Sequence, residues 1–205
     1  MKTPVFTAAI ILLFSLSGKT QIQAGLSGSF LQGQGNADNH TSLGGAGLYM
    51  KYFLTPRLAL GGVLHYYLPK SSDYVDKNTR YTGKDNVTNL SASFDFLLGN
   101  EDNAVQPYIG LDAGISLSRH NIKYTSSTNQ KMEAKRSEKY FLVSPKAGLS
   151  IDLDDMFGIF GQAQYHYGVG NGKSQNISIN NGQTTLTTEP VSKYINIDAG
   201  VFYIF

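Results

Sequence analysis

Cysteine is absent from the 205-residue chain, which excludes a disulfide framework and any thiolate metal site. A strong charge of either sign is also lacking. Lys and Arg number 17 against 15 Asp and Glu, for a net charge of +2, so neither nucleic acid nor another polyanion is expected as a partner. Long apolar runs are missing beyond residue 16, and a mean hydropathy of −0.20 is too polar for a helical membrane protein. It leaves room for a membrane barrel, because half of each barrel strand faces away from lipid. Proline is modest at 6, whereas Gly at 22 and Tyr at 13 are high.

The single apolar run, Val5 to Leu16, is broken only by Thr7 and Ser15. It follows Lys2 and precedes small and polar residues, the pattern of a secretory signal. It is shorter than the ~20 residues a spanning helix needs. Residues 1–24 are read as signal peptide and 25–205 as one domain. Cleavage after Ala24 competes with cleavage after Thr20, since Ile22 suits the third position before a cut poorly and Gly18 suits it well.

What the chain does hold is alternation. From Tyr194 to Phe205, every second residue is apolar (Ile195, Ile197, Ala199, Val201, Tyr203, Phe205), and the interleaved set carries Asn196, Asp198 and Gly200. This is a period-2 strand. Earlier segments repeat the pattern over 25–34, 43–54, 58–68, 87–98, 107–118, 139–153 and 157–167. Eight strands result, each about the ~9–11 residues a tilted membrane strand requires. Short turns at Thr55-Pro56-Arg57, 99–106 and Asp154-Asp155 alternate with long polar connectors at 69–86, 119–138 and 168–191. Asn181-Gly182, between the alternating runs 176–179 and 185–187, favours a type I′ hairpin and predicts a ribbon continuing the last two strands. Pro145, inside a strand, predicts a bulge, because a closed barrel has no edge to accommodate a missing donor.

A soluble ligand-binding barrel would alternate in the same way with its apolar face inward. Three features point the other way. An eight-stranded barrel holds little more than side chains, and the polar face is rich in Gly and Ser. No Asp, Glu, Lys or Arg is expected on any of the eight apolar faces, as a lipid-facing surface demands. Aromatic residues of those faces gather near strand ends, as in interfacial girdles. The expected fold is an all-β, eight-stranded, antiparallel up-and-down transmembrane barrel.

The stretch Asp198 to Phe205 resembles the C-terminal assembly signal of bacterial outer-membrane proteins. The resemblance implies that Asp198, Gly200, Tyr203 and Phe205 are recognised by the barrel-assembly machinery. Residues 25–205 as a whole resemble small barrels of the OmpA/OmpX type, in the broad outer membrane protein beta-barrel domain family. That resemblance implies a Gram-negative outer membrane, with both termini periplasmic and lipid and lipopolysaccharide around the barrel. No peptidoglycan-binding domain is expected beyond Phe205.

The ionisable residues assigned to the lumen are Lys51, His65, Asp95, Asp112, Lys146, Asp152, His166 and Asp198. As pore-lining groups they would conduct; as a hydrogen-bonded, ion-paired filling they would seal the barrel, and buried charges need such partners. His166, in Gln164 to Gly168, is similar to the His-x-Ser core of outer-membrane lipid A deacylases, with Gly168 where the serine would stand. The loop histidines His40 and His120 are weak candidates for an outer-membrane palmitoyl-transferase site. The Gly168 to Ser174 stretch is one residue short of a phosphate-binding loop and has no helix after it. The charged connectors 69–86 and 119–138 form a mixed-charge surface for lipopolysaccharide or for an extracellular ligand. No catalytic residue, cofactor or metal is assigned. The function expected is a non-enzymatic structural or surface-interaction role through the loops. The alternatives are a narrow, porin-like solute channel and an outer-membrane lipid-modifying enzyme.

Overall fold

A computed structural model describes residues 21–33, 42–76, 79–99, 103–126, 131–169, 176–177, 186–187 and 193–205. Most of the segment read as a signal, residues 1–20, lies outside these, as do His40 and the Asn181-Gly182 turn. The strands are β1 (Ile22–Gly33), β2 (Ser42–Thr55), β3 (Leu58–Asp76), β4 (Thr79–Leu97), β5 (Val105–Ser126), β6 (Lys131–Asp152), β7 (Phe157–Val169), β8 (Asn176–Ile177), β9 (Leu186–Thr187) and β10 (Lys193–Ile204). Eight of them close an antiparallel barrel in the order β1-β10-β7-β6-β5-β4-β3-β2. Closure pairs the first strand with the last, Leu26 opposite Val201 and Phe30 opposite Ile197. Every barrel strand thus has two partners, which is what a lipid environment demands of backbone polar groups.

The apolar positions face outward. Leu60, Leu111, Leu149 and Val201 are 41%, 45%, 50% and 55% exposed, while their chain neighbours Ala59, Asp112 and Phe202 are buried. Exposed large apolar side chains occur on all eight barrel strands, and a continuous apolar surface of that extent requires lipid rather than water. The chain is a transmembrane β-barrel.

Short turns close one end. At 55–57 the Thr55 hydroxyl accepts hydrogen bonds from the Arg57 and Leu58 amides. At the bend after β6, Asp154 accepts from the Met156 and Phe157 amides at 2.8 and 2.6 Å. Short polar side chains that bond the backbone two or three residues on favour such turns.

The other end departs from the sequence reading. Much of 69–86 and 119–138 is strand, not loop. β3 pairs β4 as far as Asp76↔Thr79, β4 pairs β5 as far as Thr79↔Ser126, and β5 pairs β6 as far as Thr125↔Lys131. Four strands therefore continue past the apolar belt as a sheet, while β2 reaches only Gly45↔Tyr67 along β3 and β7 only Val169↔Phe141 along β6. At about 3.4 Å per residue this wall runs on for roughly 25–30 Å along the strands. The alternation changes phase in water. Within the belt the outer positions are apolar, whereas in the wall Tyr74, Tyr81, Tyr124 and Met132 occupy one register row of the inner set. A single-phase pattern search reads that reversal as loop.

Two further expectations are corrected. The register of β6 against β5 and β7 is constant through Pro145, so there is no bulge; Ser144 and Pro145 simply drop out of the β7 ladder. The proline at a bulge is Pro69, between Tyr67 and Lys70, where the belt gives way to the wall. Lys139 shares the outer side with Phe141 and is exposed one step beyond it, so the outer faces are free of charge within the belt but not at its rim. Of the expected ribbon, the described residues hold β8 paired with β9, Ile177 opposite Leu186; its Asn181-Gly182 turn and its links to β7 and β10 lie outside them.

A charge on the belt should cost according to depth. Leu111→Arg is expected to lower unfolding stability in lipid vesicles by about 2–4 kcal/mol, and Leu153→Arg at the short-turn rim by about 0–1 kcal/mol. Equal effects in denaturant titrations would contradict the belt assignment.

Candidate functional site

Two apolar plugs and a polar network occupy the lumen, and at the short-turn end a small cleft remains, lined by Tyr49, Lys51, Asp95, Tyr108, Phe160 and Phe202. At the wall end, Leu31, Leu43, Tyr67, Leu142 and Tyr194 pack together with Val87 against them. Toward the short turns, Tyr49, Val63, Phe160 and Phe202 form the second cluster with Ile204, and the Tyr49 and Phe160 rings meet edge to face at 4.8 Å. Each side chain comes from an inward position of the period-2 pattern, which is why residues far apart in sequence meet.

The polar network is built on an ion-paired chain. Lys146, on β6, places Nζ 2.8 Å from both Asp95 on β4 and Asp112 on β5, and donates to Ser93 Oγ at 2.6 Å. Lys51, on β2, reaches Asp95 from the other side at 2.7 Å, and its ammonium lies 4.8 Å from the centre of the Tyr108 ring. Two lysines thus balance two aspartates. The third carboxylate, Asp198 on β10, accepts from Gln162 and Asn196 at 2.8 Å each and lies 3.4 Å from His65 Nε2. Tyr108 donates to Gln162 Oε1 at 2.8 Å, which ties the lysine chain to the Asp198 group. Such charges survive burial only when paired and hydrogen-bonded.

His166 belongs to a second arrangement. Its Nδ1 is 2.7 Å from Ser144 Oγ, and its ring stacks on Tyr194 at 4.4 Å; Tyr194 in turn accepts from Asn89 at 2.9 Å. Ser144 and His166 are the residues that would face each other where the β6–β7 ladder lapses beside Pro145. Their side-chain contact bridges the gap that the missing proline donor leaves. Both are buried.

Of the residues assigned to the lumen from sequence, Lys51, Asp95, Asp112 and Lys146 share one cluster, His65 and Asp198 another, and His166 stands with Ser144. Asp152 stands apart, partly exposed at the short-turn end of β6 opposite Gly158. His120 lies within β5 rather than on a loop. The neutral members Asn89, Gln162, Asn196 and Tyr108 share the inward phase but were not among the site residues assigned, which were restricted to ionisable groups. Two glycines leave room for this filling. A Cβ at Gly148 would stand 2.6 Å from the Tyr108 ring, and one at Gly110 would stand 2.7 Å from Lys146 Cε. Among the described residues, no three His, Asp or Glu side chains are grouped so as to hold a metal ion.

Lys146→Met, which leaves Asp95 and Asp112 short of their shared cation, should lower unfolding stability by about 3–5 kcal/mol. Ser144→Ala should cost about 1–3 kcal/mol through the buried His166 nitrogen it orphans. Both are measurable by denaturant titration in vesicles. A Lys146→Met barrel as stable as the parent would show that the network does not hold the lumen together.

No protein-family model matches the chain, and no curated protein matches it in sequence. Solved structures do. A major outer membrane protein from Thermus thermophilus superposes with a TM-score of 0.61 at 13% identity, over 92% of this chain and 100% of that one. Neisserial surface protein A gives 0.55 at 14% identity, over 92% and 98%. Ail, the attachment invasion locus protein of Yersinia pestis, gives 0.52 at 14% identity, over 91% and 97%. At these identities the likeness is one of fold, and the chain has the fold of the eight-stranded bacterial outer-membrane barrels.

Proposed function

We propose that this chain is a non-enzymatic barrel of a Gram-negative outer membrane that acts through its surface, with the short turns and both termini in the periplasm. The observation that carries the reading is the four-stranded wall, β3 to β6, rising past the belt from a barrel whose lumen is filled. A paired sheet standing clear of lipid is a platform for contact. A lumen closed by two plugs and an ion-paired chain favours contact over conduction. Ail, named for attachment and invasion, is one barrel of this fold with a surface role, which supports the reading without assigning a ligand. Outer-membrane lipid and lipopolysaccharide surround the barrel.

The barrel-assembly machinery reads the outward aromatic pair of the last strand. Tyr203 and Phe205 meet edge to face at 4.7 Å, with Phe205 exposed at the rim. Asp198 and Gly200 also serve the lumen, Asp198 in its network and Gly200 beneath the Phe160 ring. Signal cleavage falls after Thr20. β1 begins at Ile22, the Gln21 carbonyl accepts from the Phe53 amide, and the Ile22 carbonyl accepts from the Phe205 amide; a cut after Ala24 would remove these ties.

Because the natural chain has no cysteine, single cysteines report sidedness cleanly. Ser126→Cys at the wall tip should react with a membrane-impermeant maleimide on intact cells, and Asp155→Cys only after the outer membrane is permeabilised. The reverse pattern would invert the proposed orientation. Purified barrel in planar bilayers should show no discrete conductance steps, and steps would restore the channel reading. The mature N-terminus should be Gln21, as Edman sequencing or intact mass would show.

A further inference from the structure

The wall-end plug rests on two histidines. Tyr194 stacks on His166 with ring centres 4.4 Å apart, and Tyr67 lies beside His65 at 6.0 Å. Both tyrosines belong to the apolar cluster with Leu31, Leu43 and Leu142. Register places the rings: His166 is opposite Tyr194 across the β7–β10 ladder, and His65 and Tyr67 follow one another on the inner side of β3. All four are buried.

The two imidazoles share one carboxylate. Asp198 lies 3.4 Å from His65 Nε2, and its charge also reaches His166. The nearby acids on other strands are occupied. Asp95 and Asp112 hold Lys146, Asp95 also holds Lys51, and Glu138 accepts from Tyr140. His166 contacts Ser144 through Nδ1, and its Nε2 has no hydrogen-bond partner among the described residues. Uncharged, the ring fits this place. Charged, it carries two donors, one of them unmet, beside a second imidazolium that already claims Asp198. The face of the Tyr194 ring returns only part of the lost hydration. Protons have a path to the pair from the short-turn end. The cleft there measures about 20 Å³, and a second cavity of about 10 Å³ lies deeper, lined by Ser27, His65, Lys146 and Gln162. Tyr49, Lys51 and Phe160 line both, and each space is on the scale of a single water.

We propose that His65 and His166 form an acid-sensitive latch: when both are protonated, Tyr194 leaves its place over His166 and the wall-end plug opens to solvent. The latch is independent of the surface role and of which way the barrel points.

The natural chain has no tryptophan, so Tyr194→Trp puts one fluorophore in the wall-end plug and Tyr49→Trp puts one in the other. Each variant is checked for folding by heat-modifiable migration. Acrylamide quenching of the barrel in vesicles is then read at about pH 7.5 and about pH 5, either side of the ordinary imidazole range. Quenching in Tyr194→Trp should be weak at the higher pH and rise roughly fivefold at the lower, as a buried side chain becomes exposed by local opening. Adding His166→Asn, whose amide still meets Ser144 but takes no proton, should keep it weak at both. Adding His65→Gln, which frees Asp198 for a charged His166, should reduce the rise. Tyr49→Trp should not respond. Should Tyr194→Trp fail to fold, Tyr67→Trp in the same plug carries the measurement. Equal quenching at the two pH values overturns the latch. So does an acid rise that survives His166→Asn, or one that Tyr49→Trp shows in equal measure, since that would be a general loosening of the barrel.

Discussion

Backbone hydrogen bonding in a medium without water is the constraint on which the rest of this structure depends. Inside lipid an unpaired amide has no solvent to turn to, so a sheet must close on itself. Here closure is achieved by pairing β1 with β10 along Gln23↔Ile204 to Gly33↔Tyr194. Once the ladder is closed, each strand has an inside and an outside, and period-2 alternation divides the chain between lipid and lumen. Where a donor is missing, at Pro145, the barrel keeps its register and a side-chain contact, Ser144 to His166, spans the lapse.

Closure with eight strands also sets the interior. The cylinder is narrow, so lumen side chains from opposite walls reach one another, and large residues must be matched by small ones. Tyr108 opposite Gly148 is one such match, and its hydroxyl then reaches Gln162. Charges drawn into that space have to be neutralised locally. Lys146 between Asp95 and Asp112, with Lys51 behind Asp95, does this with two cations and two anions.

Beyond the belt the same strands obey a different solvent. Water satisfies their outer edges, so β3 to β6 can run on without neighbours from β2 and β7. Apolar residues no longer gain by pointing outward. The inner set then carries the tyrosine row, and the outer set carries Lys84, Arg119 and Lys123. One continuous strand such as β5, from Val105 to Ser126, therefore passes through two environments with opposite patterning.

From the sequence alone, the class of fold, the strand number, the lipid-facing side of each strand and the short turns at 55–57 and Asp154-Asp155 were legible. Each of these follows from local periodicity and turn chemistry, which a single stretch of chain displays by itself. The lumen residues were legible only as a phase. Which lysine meets which aspartate depends on register between strands, as with Lys51 and Asp95, and no local pattern encodes register. The same holds for the wall. Residues 70–84 and 121–135 read as polar connectors because their apolar phase is reversed, and only cross-strand pairing showed them to be sheet. Local alternation fixed which side a residue takes; tertiary pairing decided its neighbours, since a neighbour across a ladder can lie a hundred residues away in the chain.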